Sequence, residues 1–507
     1  MTDRQNVLFV VFDQFRADCL FGDLAPHVEL PTLRALMKES VSFSNNYTVC
    51  APCGPARASL LTGQYAMNHR SVRNGTPLRH DTPNLATELR KAGRLPLLYG
   101  YTDSAQDPRT LPPADPRLTS YEEVMTGFEE VVRQRFEDAG GPWISHLVRK
   151  GYKLSRETIF RPVGPEIDDP ALYDAADSDT AFLTDATLSD LLLRPPGWVA
   201  HLTYIRPHPP FVAPEPYNRM FDKDTMPAPR DTRDNHPFLA PARAYQSMTS
   251  VVKGFDNRAE DADAVARIRS VYMGLAAEVD EHLGRVIAFL KQTGQYENTL
   301  IVVTSDHGEL LGDFGCWGKS HYYDAAFHTP LIIRAPGHEA QAGTIRDEMV
   351  ESIDITPTIL DLLGVDIPDS MDGRSLRPFL EGTCPDDWPD YSYSELDFGN
   401  PIKPTRFETE LGIGPDEANL AILRERDHTL VQFGAALPPI LFDKTAAGEA
   451  ADVSHTPGAA ETILRMTQKM LRHRMQNPDG LFARTMITSE GPKRGTGSPV
   501  QPAEAVS

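Results

Sequence analysis

Three short runs hold the residues most able to do chemistry: Asp13-Gln14, Cys50-Ala51-Pro52-Cys53-Gly54-Pro55-Ala56-Arg57, and Asp306-His307-Gly308-Glu309. Two cysteines at Cys-x-x-Cys spacing can form a redox pair or half of a zinc site. A zinc site needs a second close pair of Cys or His, yet Cys19, Cys316 and Cys384 stand singly and far apart. The redox reading leaves Arg57, Leu61, Thr62 and Gly63 of the same stretch unexplained. The other two runs are hard and rich in oxygen, and carboxylates with an imidazole suit a divalent cation. Each acid also has a plainer reading as a turn or helix cap, a common fate of Asp after an apolar strand. His208, within Arg206-Pro207-His208-Pro209-Pro210-Phe211, and Lys319, within Trp317-Gly318-Lys319, could stabilise or protonate a leaving oxygen. Their plainer readings are a loop-capping His and a solvated Lys.

Such groups act together only if strand ends gather them. Asn6 to Phe12 is a continuous apolar run rich in β-branched and aromatic residues, the mark of a strand buried on both faces of a parallel sheet, and Asp13 ends it. Leu95 to Tyr99, Trp198 to Ile205, Thr299 to Thr304 and Pro330 to Ile333 repeat the pattern. Amphipathic helical stretches lie between them at Thr32 to Glu39, Asn84 to Ala92, Thr180 to Leu193 and Ala262 to Thr293. This alternation predicts an α/β fold, a doubly wound and mostly parallel sheet with ligands at its strand carboxyl ends. Pro55 is a good first-turn residue, so a helix starting near it would face its positive end toward Cys53.

Residues 103–175 and 206–262, rich in Pro, Arg and Asp, read as long insertions that rim the site or make subunit contacts. Beyond about residue 385, Leu420 to Arg424, Thr429 to Phe433 and Pro439 to Phe442 read as short antiparallel strands and Glu461 to Arg474 as a closing helix. The expected division is a catalytic α/β domain over 1–385, a smaller C-terminal α+β subdomain over 386–488, and a flexible Gly, Pro and Ser-rich tail over 489–507.

The run from Cys53 to Gly63, Cys-x-Pro-x-Arg followed by Leu-Thr-Gly, resembles the sulfatase signature. Met67-Asn68-His69-Arg70, Asn74, Gly100-Tyr101-Thr102, Asp107-Pro108-Arg109, the run from Arg206 to Phe211, and Ser305 to Glu309 through Lys319 are similar to the phosphonate monoester hydrolase branch of that group. The likeness spans most of the chain. It implies an alkaline-phosphatase-like fold, a bound divalent metal, and subunits assembled as a homo-oligomer, a dimer or tetramer. It further implies that a formylglycine-generating enzyme oxidises Cys53 to an aldehyde whose hydrate is the nucleophile. Carried over by position, it makes Asp13, Cys53, Asp306 and His307 metal ligands, while Gln14, Arg57, Asn74, Tyr101, His208 and Lys319 line the substrate site. With no thiolate left, the ligands are mostly oxygen and suit Mn2+ or Ca2+. A diol oxygen on a dication has a lowered pKa and can attack sulfur or phosphorus in line. The ester so formed falls apart when a base removes the proton of the second hydroxyl, so no water need attack the sulfur.

One residue departs from the branch. After Gly100-Tyr101-Thr102 the phosphonate hydrolases tend to place another Thr and many sulfatases a His, whereas this chain has Asp103. An acid there could be the base of the second step, or only cap the following loop. It would repel a dianionic phosphate monoester more than the singly charged sulfate monoesters, phosphonate monoesters and phosphodiesters. The implied activity is therefore hydrolysis of aryl sulfates together with phosphonate monoesters and phosphodiesters, in an order the sequence leaves open. Phosphotransferases of the same fold resemble chains with a Ser or Thr nucleophile, and Cys53 argues against them.

Composition agrees with a large acidic enzyme. The chain has 507 residues, 40% of them apolar, enough for an extensive core. A net charge of −21 disfavours nucleic acid and anionic membrane as partners, so an anionic small-molecule substrate must be drawn in by a metal and a few placed cations. Neither a basic leader with an apolar core nor an apolar run of membrane-spanning length is present, and the five cysteines are scattered. A cytoplasmic location is the expectation.

Overall fold

The computed structural model describes residues 4–135, 141–155, 157–232, 234–245, 251–255, 261–476 and 485–494. A large sheet runs in the order β10 (Val350–Glu351), β2 (Val41–Tyr47), β8 (His328–Arg334), β7 (Thr299–Ser305), β1 (Asn6–Asp13), β6 (Val199–Pro207), β4 (Pro96–Gly100) and β5 (Glu129–Arg133), with β9 (Ile345–Arg346) paired to β2. Every residue of β1 is buried because it lies between two parallel neighbours and under helices on both faces. Leu8, Val10 and Phe12 point into one core with the helices Pro31–Lys38, Asp179–Leu191 and Ala262–Gln292. Val7, Phe9 and Val11 point into the other, against Cys53–Thr62, Leu85–Lys91 and Ile355–Leu362. Each such side chain contributes about 1.5–3 kcal/mol of transfer free energy, which is why the alternation holds the strand in one register.

That register gathers the chemistry at one sheet edge. Phe12 lies opposite Ser305 of β7 and Tyr204 of β6, and Asp13 opposite Pro207. Parallel pairing therefore brings the ends of three strands, and the residues just beyond them, to a common rim.

The rhythm breaks at β8, which is antiparallel to both β7 and β2 rather than parallel as its apolar run suggests. A parallel return needs a crossover, usually helical, and the segment after Ser305 is instead an irregular site-forming loop with one short helix, Asp324–Phe327, so the chain simply turns back. The segment expected as an insertion over 103–175 holds the edge strand β5 and the helix Pro142–Arg149, whose Trp143 and Leu147 pack with Ile159 and Tyr173 in a core of their own. β5 reads Glu-Glu-Val-Val-Arg, a charged sequence that suits an exposed edge and gives little apolar signal. Helix Leu239–Tyr245, from the second insertion, carries the chain toward the other sheet, and Phe238 just before it packs on Phe398, Phe407 and Phe433.

The second sheet runs β15 (Gly448–Asp452), β14 (Ile440–Asp443), β13 (His428–Phe433), β12 (Asn419–Glu425), β11 (Tyr391–Asp397) and β3 (Cys50–Ala51), with helix Ala459–Gln476 following it in the chain. β3 pairs in parallel with Glu395–Leu396 of β11, so the segment leading into Cys53 belongs to the C-terminal sheet. A small hairpin, β16 (Thr485–Thr488) and β17 (Gly491–Arg494), comes last. The expected flexible tail begins inside this hairpin, and residues 495–507 lie outside the described residues. Among the described residues no helix is long and apolar enough to cross a membrane.

Gly100, at the end of β4, has φ +114°, and a Cβ there would meet Thr203 O at 2.5 Å; Gly93 has φ +72° with nothing within 4 Å of an added Cβ. Gly100→Ala is expected to lower stability by about 2 kcal/mol or more, against about 1 kcal/mol for Gly93→Ala, the difference being the clash. Thermal unfolding of the two variants checks the ranking.

Candidate functional site

Cys53 is the first residue of a helix, Cys53–Thr62, whose ten residues are all buried. It starts two residues earlier than Pro55 suggests. The first-turn amides of such a helix cannot reach water, and Gly54 N–H finds a partner in Asn74 Oδ1 at 2.9 Å. Gly63, in the left-handed region at φ +65°, ends the helix.

Four side chains converge at the strand rim. Asp13, Cys53, Asp306 and His307 each offer one ligand atom, and these atoms all lie within 4.8 Å of one another. Cys53 Sγ is 3.2 Å from His307 Nε2 and 4.0 Å from Asp13 Oδ1. His307 Nδ1 donates to Gly308 O at 3.0 Å, which leaves the Nε2 lone pair aimed at the group. Asp306 Oδ1 accepts from the backbone N–H of Gln14 and of His307, while Oδ2 makes no hydrogen bond among the described residues. Burial and the neighbouring Asp13 push the Asp306 carboxyl up to about 7. Burial pushes Asp13 in the same direction, but His208, Arg57, His307 and Lys319 outweigh it and hold Asp13 well below the usual carboxylate range. Two crowded acids, an imidazole lone pair and a carboxylate oxygen that accepts no hydrogen bond fit a divalent cation.

Arg57 supplies fixed positive charge to this group. Its Nη2 lies 3.0 Å from Asp13 Oδ2 and 3.0 Å from Asp306 Oδ2. Nη1 donates to Thr203 Oγ1 at 2.9 Å, and the guanidinium lies 4.2 Å from the centre of the Tyr101 ring. The Tyr101 hydroxyl donates to Asp13. Arg57 Nε makes no hydrogen bond and faces Asp103 Oδ2 at 3.8 Å, while Asp103 Oδ1 is also unbonded. Asp103 sits at φ +46°, an uncommon conformation for a residue with a side chain, and burial pushes its carboxyl well up despite Arg57.

A second chain of contacts joins the remaining candidates. Lys319 Nζ donates to Gln14 Oε1 at 2.5 Å and approaches His208 Nε2 at 3.2 Å. Gln14 Nε2 donates to Glu309, whose other oxygen accepts from the N–H groups of Leu311 and Gly318. His208 Nδ1 donates to Pro209 O at 2.6 Å. Burial and the Lys319 charge lower His208 to about 3, so the ring is neutral. Burial also works against charge on Lys319, but Cys53, Asp13, Asp306 and Glu309 outweigh it and raise the ammonium above its ordinary value.

All eleven residues singled out from the sequence thus fall in one connected region. Thr203 and Glu309 join them without having been assigned a role: Thr203 is one hydroxyl in a mostly apolar strand, and the Glu309 contact to Gln14 spans 295 positions. Cys50, the other cysteine of the Cys-x-x-Cys spacing, packs with Tyr65 and Tyr393 in a separate cluster, and no disulfide joins the five cysteines.

A mixed sheet whose strand ends carry buried carboxylates and an imidazole, with a cysteine brought in at the head of helix Cys53–Thr62, is the arrangement of an α/β hydrolase with a candidate metal site. The Sulfatase family model matches residues 5–365, and the chain belongs to that family, within the alkaline phosphatase superfamily. Phosphonate monoester hydrolase SpPMH from Silicibacter pomeroyi superimposes with a TM-score of 0.94 at 53% identity, covering 97% of this chain and 99% of that one. The phosphonate monoester hydrolase of Agrobacterium radiobacter gives 0.92 at 38% identity, over 97% and 100% of the two chains. The multifunctional alkaline phosphatase superfamily protein PehA of Trinickia caryophylli is 37% identical over 510 residues, 96% of this chain and 98% of its own.

Asp13→Asn removes a charge from the cation group while keeping its volume. The variant is expected to bind divalent metal at least about 100-fold more weakly, read by elemental analysis of protein dialysed against graded metal concentrations.

Proposed function

We propose that the chain is a formylglycine- and metal-dependent hydrolase of monoanionic esters, cleaving aryl sulfate monoesters and also phosphonate monoesters and phosphodiesters. One observation carries the reading: Cys53 heads a buried helix with its Sγ 3.2 Å from His307 Nε2, inside the same group as Asp13 and Asp306. Burial and Asp13 push that thiol far above the usual range, so it is a poor thiolate nucleophile. Conversion of Cys53 to formylglycine by an activating enzyme supplies a hydroxyl nucleophile in its stead. Asp13, Asp306, His307 and the oxygen at position 53 would hold a divalent cation, Mn2+ or Ca2+, which would lower the pKa of that nucleophile and offset charge on the ester oxygens.

The chain's own groups do the rest. Arg57 offers donors to the non-bridging oxygens of the ester, and the amide end of helix Cys53–Thr62, tied by Asn74, favours the anion. Tyr101 stacks on the guanidinium and fixes its plane. Lys319 keeps its proton on Nζ and, with the neutral His208 beside it, meets the charge that develops on the leaving oxygen. Gln14, anchored by Glu309, orients the Lys319 ammonium. Asp103 is assigned as the base of the second step, because burial raises its affinity for a proton.

The phosphonate-first order is a second reading, favoured by the 53% identity to a protein described as a phosphonate monoester hydrolase. The five scattered cysteines, none joined in a disulfide, suit the proposed cytoplasmic location. Assembly into a dimer or tetramer is supported by exposed Leu464, Leu471 and Met475 on the helix Ala459–Gln476, with Met486 and Ile487 on the hairpin.

The test is kcat/KM for an aryl sulfate against a phosphonate monoester of the same phenol, on enzyme co-produced with the activating enzyme. A ratio above one supports the sulfatase-first order, a ratio well below one the second reading, and no turnover of either defeats both. Cys53→Ala is expected to lose at least about 1,000-fold in kcat on every substrate.

A further inference from the structure

The loop that carries His208 is short of backbone donors, although Val212 N–H reaches Pro210 O at 2.9 Å. Pro207, Pro209 and Pro210 have no N–H, so the carbonyls of residues 208–210 outnumber the donors the loop can offer. Side chains make up the deficit. Arg206 Nη1 donates to His208 O at 3.1 Å and to Pro210 O at 3.0 Å, and the carbonyl between them, Pro209 O, accepts from His208 Nδ1 at 2.6 Å. Arg206 is 1% exposed, and its own position is fixed from the far side. Its Nε pairs with Asp179 Oδ2 at 3.0 Å, and Nη2 donates to Tyr173 Oη at 3.4 Å. Asp179 opens the helix Asp179–Leu191, behind the capping Ser178, where the helix dipole stabilises its carboxylate. The guanidinium is a rigid planar fork, so holding it at one end holds the two carbonyls at the other.

We propose that Arg206, anchored by Asp179, is a positioning residue that fixes the Pro209 carbonyl and through it the tautomer and orientation of His208 toward Lys319. With Nδ1–H committed to Pro209 O, the Nε2 lone pair faces the Lys319 ammonium, 3.2 Å away. If the Pro209 carbonyl moved, Nδ1 would lose its partner, and the other tautomer would set an N–H against the ammonium, donor against donor. The pair would then separate, and the leaving oxygen would meet a misplaced proton donor. The inference rests on the reading of His208 and Lys319 as the leaving-group pair.

A double-mutant cycle of Arg206→Lys and His208→Ala, on aryl esters that differ only in the acidity of the phenol, tests it. Arg206→Lys is expected to lower kcat/KM about 10- to 100-fold for the least acidic phenol and within about 3-fold for the most acidic. In the His208→Ala background the same change adds less than about 2-fold. An equal loss on every ester that is additive with His208→Ala, or no loss at all, overturns the proposal, because it makes Arg206 merely structural or irrelevant. Should Arg206→Lys lack a cooperative melt, Asp179→Asn takes its place with the same expected pattern and a smaller effect, since Glu278 remains as an acid acting on Arg206. If His208→Ala does not itself steepen the dependence on phenol acidity, the leaving-group reading falls. Non-additivity on a single ester then decides Arg206 alone, coupled for the clamp and additive against it.

Discussion

Two carboxylates that cannot both be charged without help set the terms for this site. Asp13 and Asp306 stand at the ends of adjacent parallel strands, each at most 2% exposed, with one shared cation, Arg57, 3.0 Å from both. Burial, and then repulsion from Asp13, push Asp306 up to about 7 even with Arg57 in place. A divalent cation would relieve that strain, and the contacts around the two acids keep them where a cation could use them. His307 turns a lone pair inward because Gly308 O takes its Nδ1–H. Lys319 and Arg57 stay charged, and the acids around them are the reason.

The fold sustains this arrangement by dividing labour between two sheets. The large sheet fixes Asp13 and Asp306 through the registers of β1 with β6 and β7, which two cores lock from either face. Cys53 arrives from elsewhere: β3 is a strand of the C-terminal sheet, and the helix it feeds packs back under the large one. The position of Cys53 thus depends on the C-terminal sheet even though none of the four clustered side chains belongs to it. Loops at the rim then tie the cations down, Gln14 through Glu309 and the His208 loop through Arg206.

Much of this was legible in the sequence, for a definite physical reason. Strands buried on both faces read as unbroken apolar runs, so β1, β6 and β7 stood out, and the polar residues at their ends marked the rim before any pairing was known. The helix Ala262–Gln292 was equally plain from its period. Illegible were the elements whose signal is tertiary. β2 is Val-Ser-Phe-Ser-Asn-Asn-Tyr and β5 is a charged edge, so neither has an apolar run. The antiparallel sense of β8 depends on what replaces a crossover helix, which hydrophobicity does not encode. In the site, Asp13, Asp306 and His307 drew attention because oxygen-rich runs with an imidazole suit a cation, and Cys53 joined them through the resemblance of its run to the sulfatase signature. Thr203 and Glu309 were not assigned because a hydroxyl and an acid announce nothing until their partners are in view.

The central claim is that position 53 works as an oxidised cysteine rather than a thiol. The most direct measurement is the fraction of Cys53 converted to formylglycine, by mass spectrometry of the peptide that contains it, alongside kcat in preparations made with increasing amounts of the activating enzyme. The account predicts that kcat rises in proportion to the converted fraction and extrapolates to zero at none. Full turnover by protein whose Cys53 is still a thiol would contradict it.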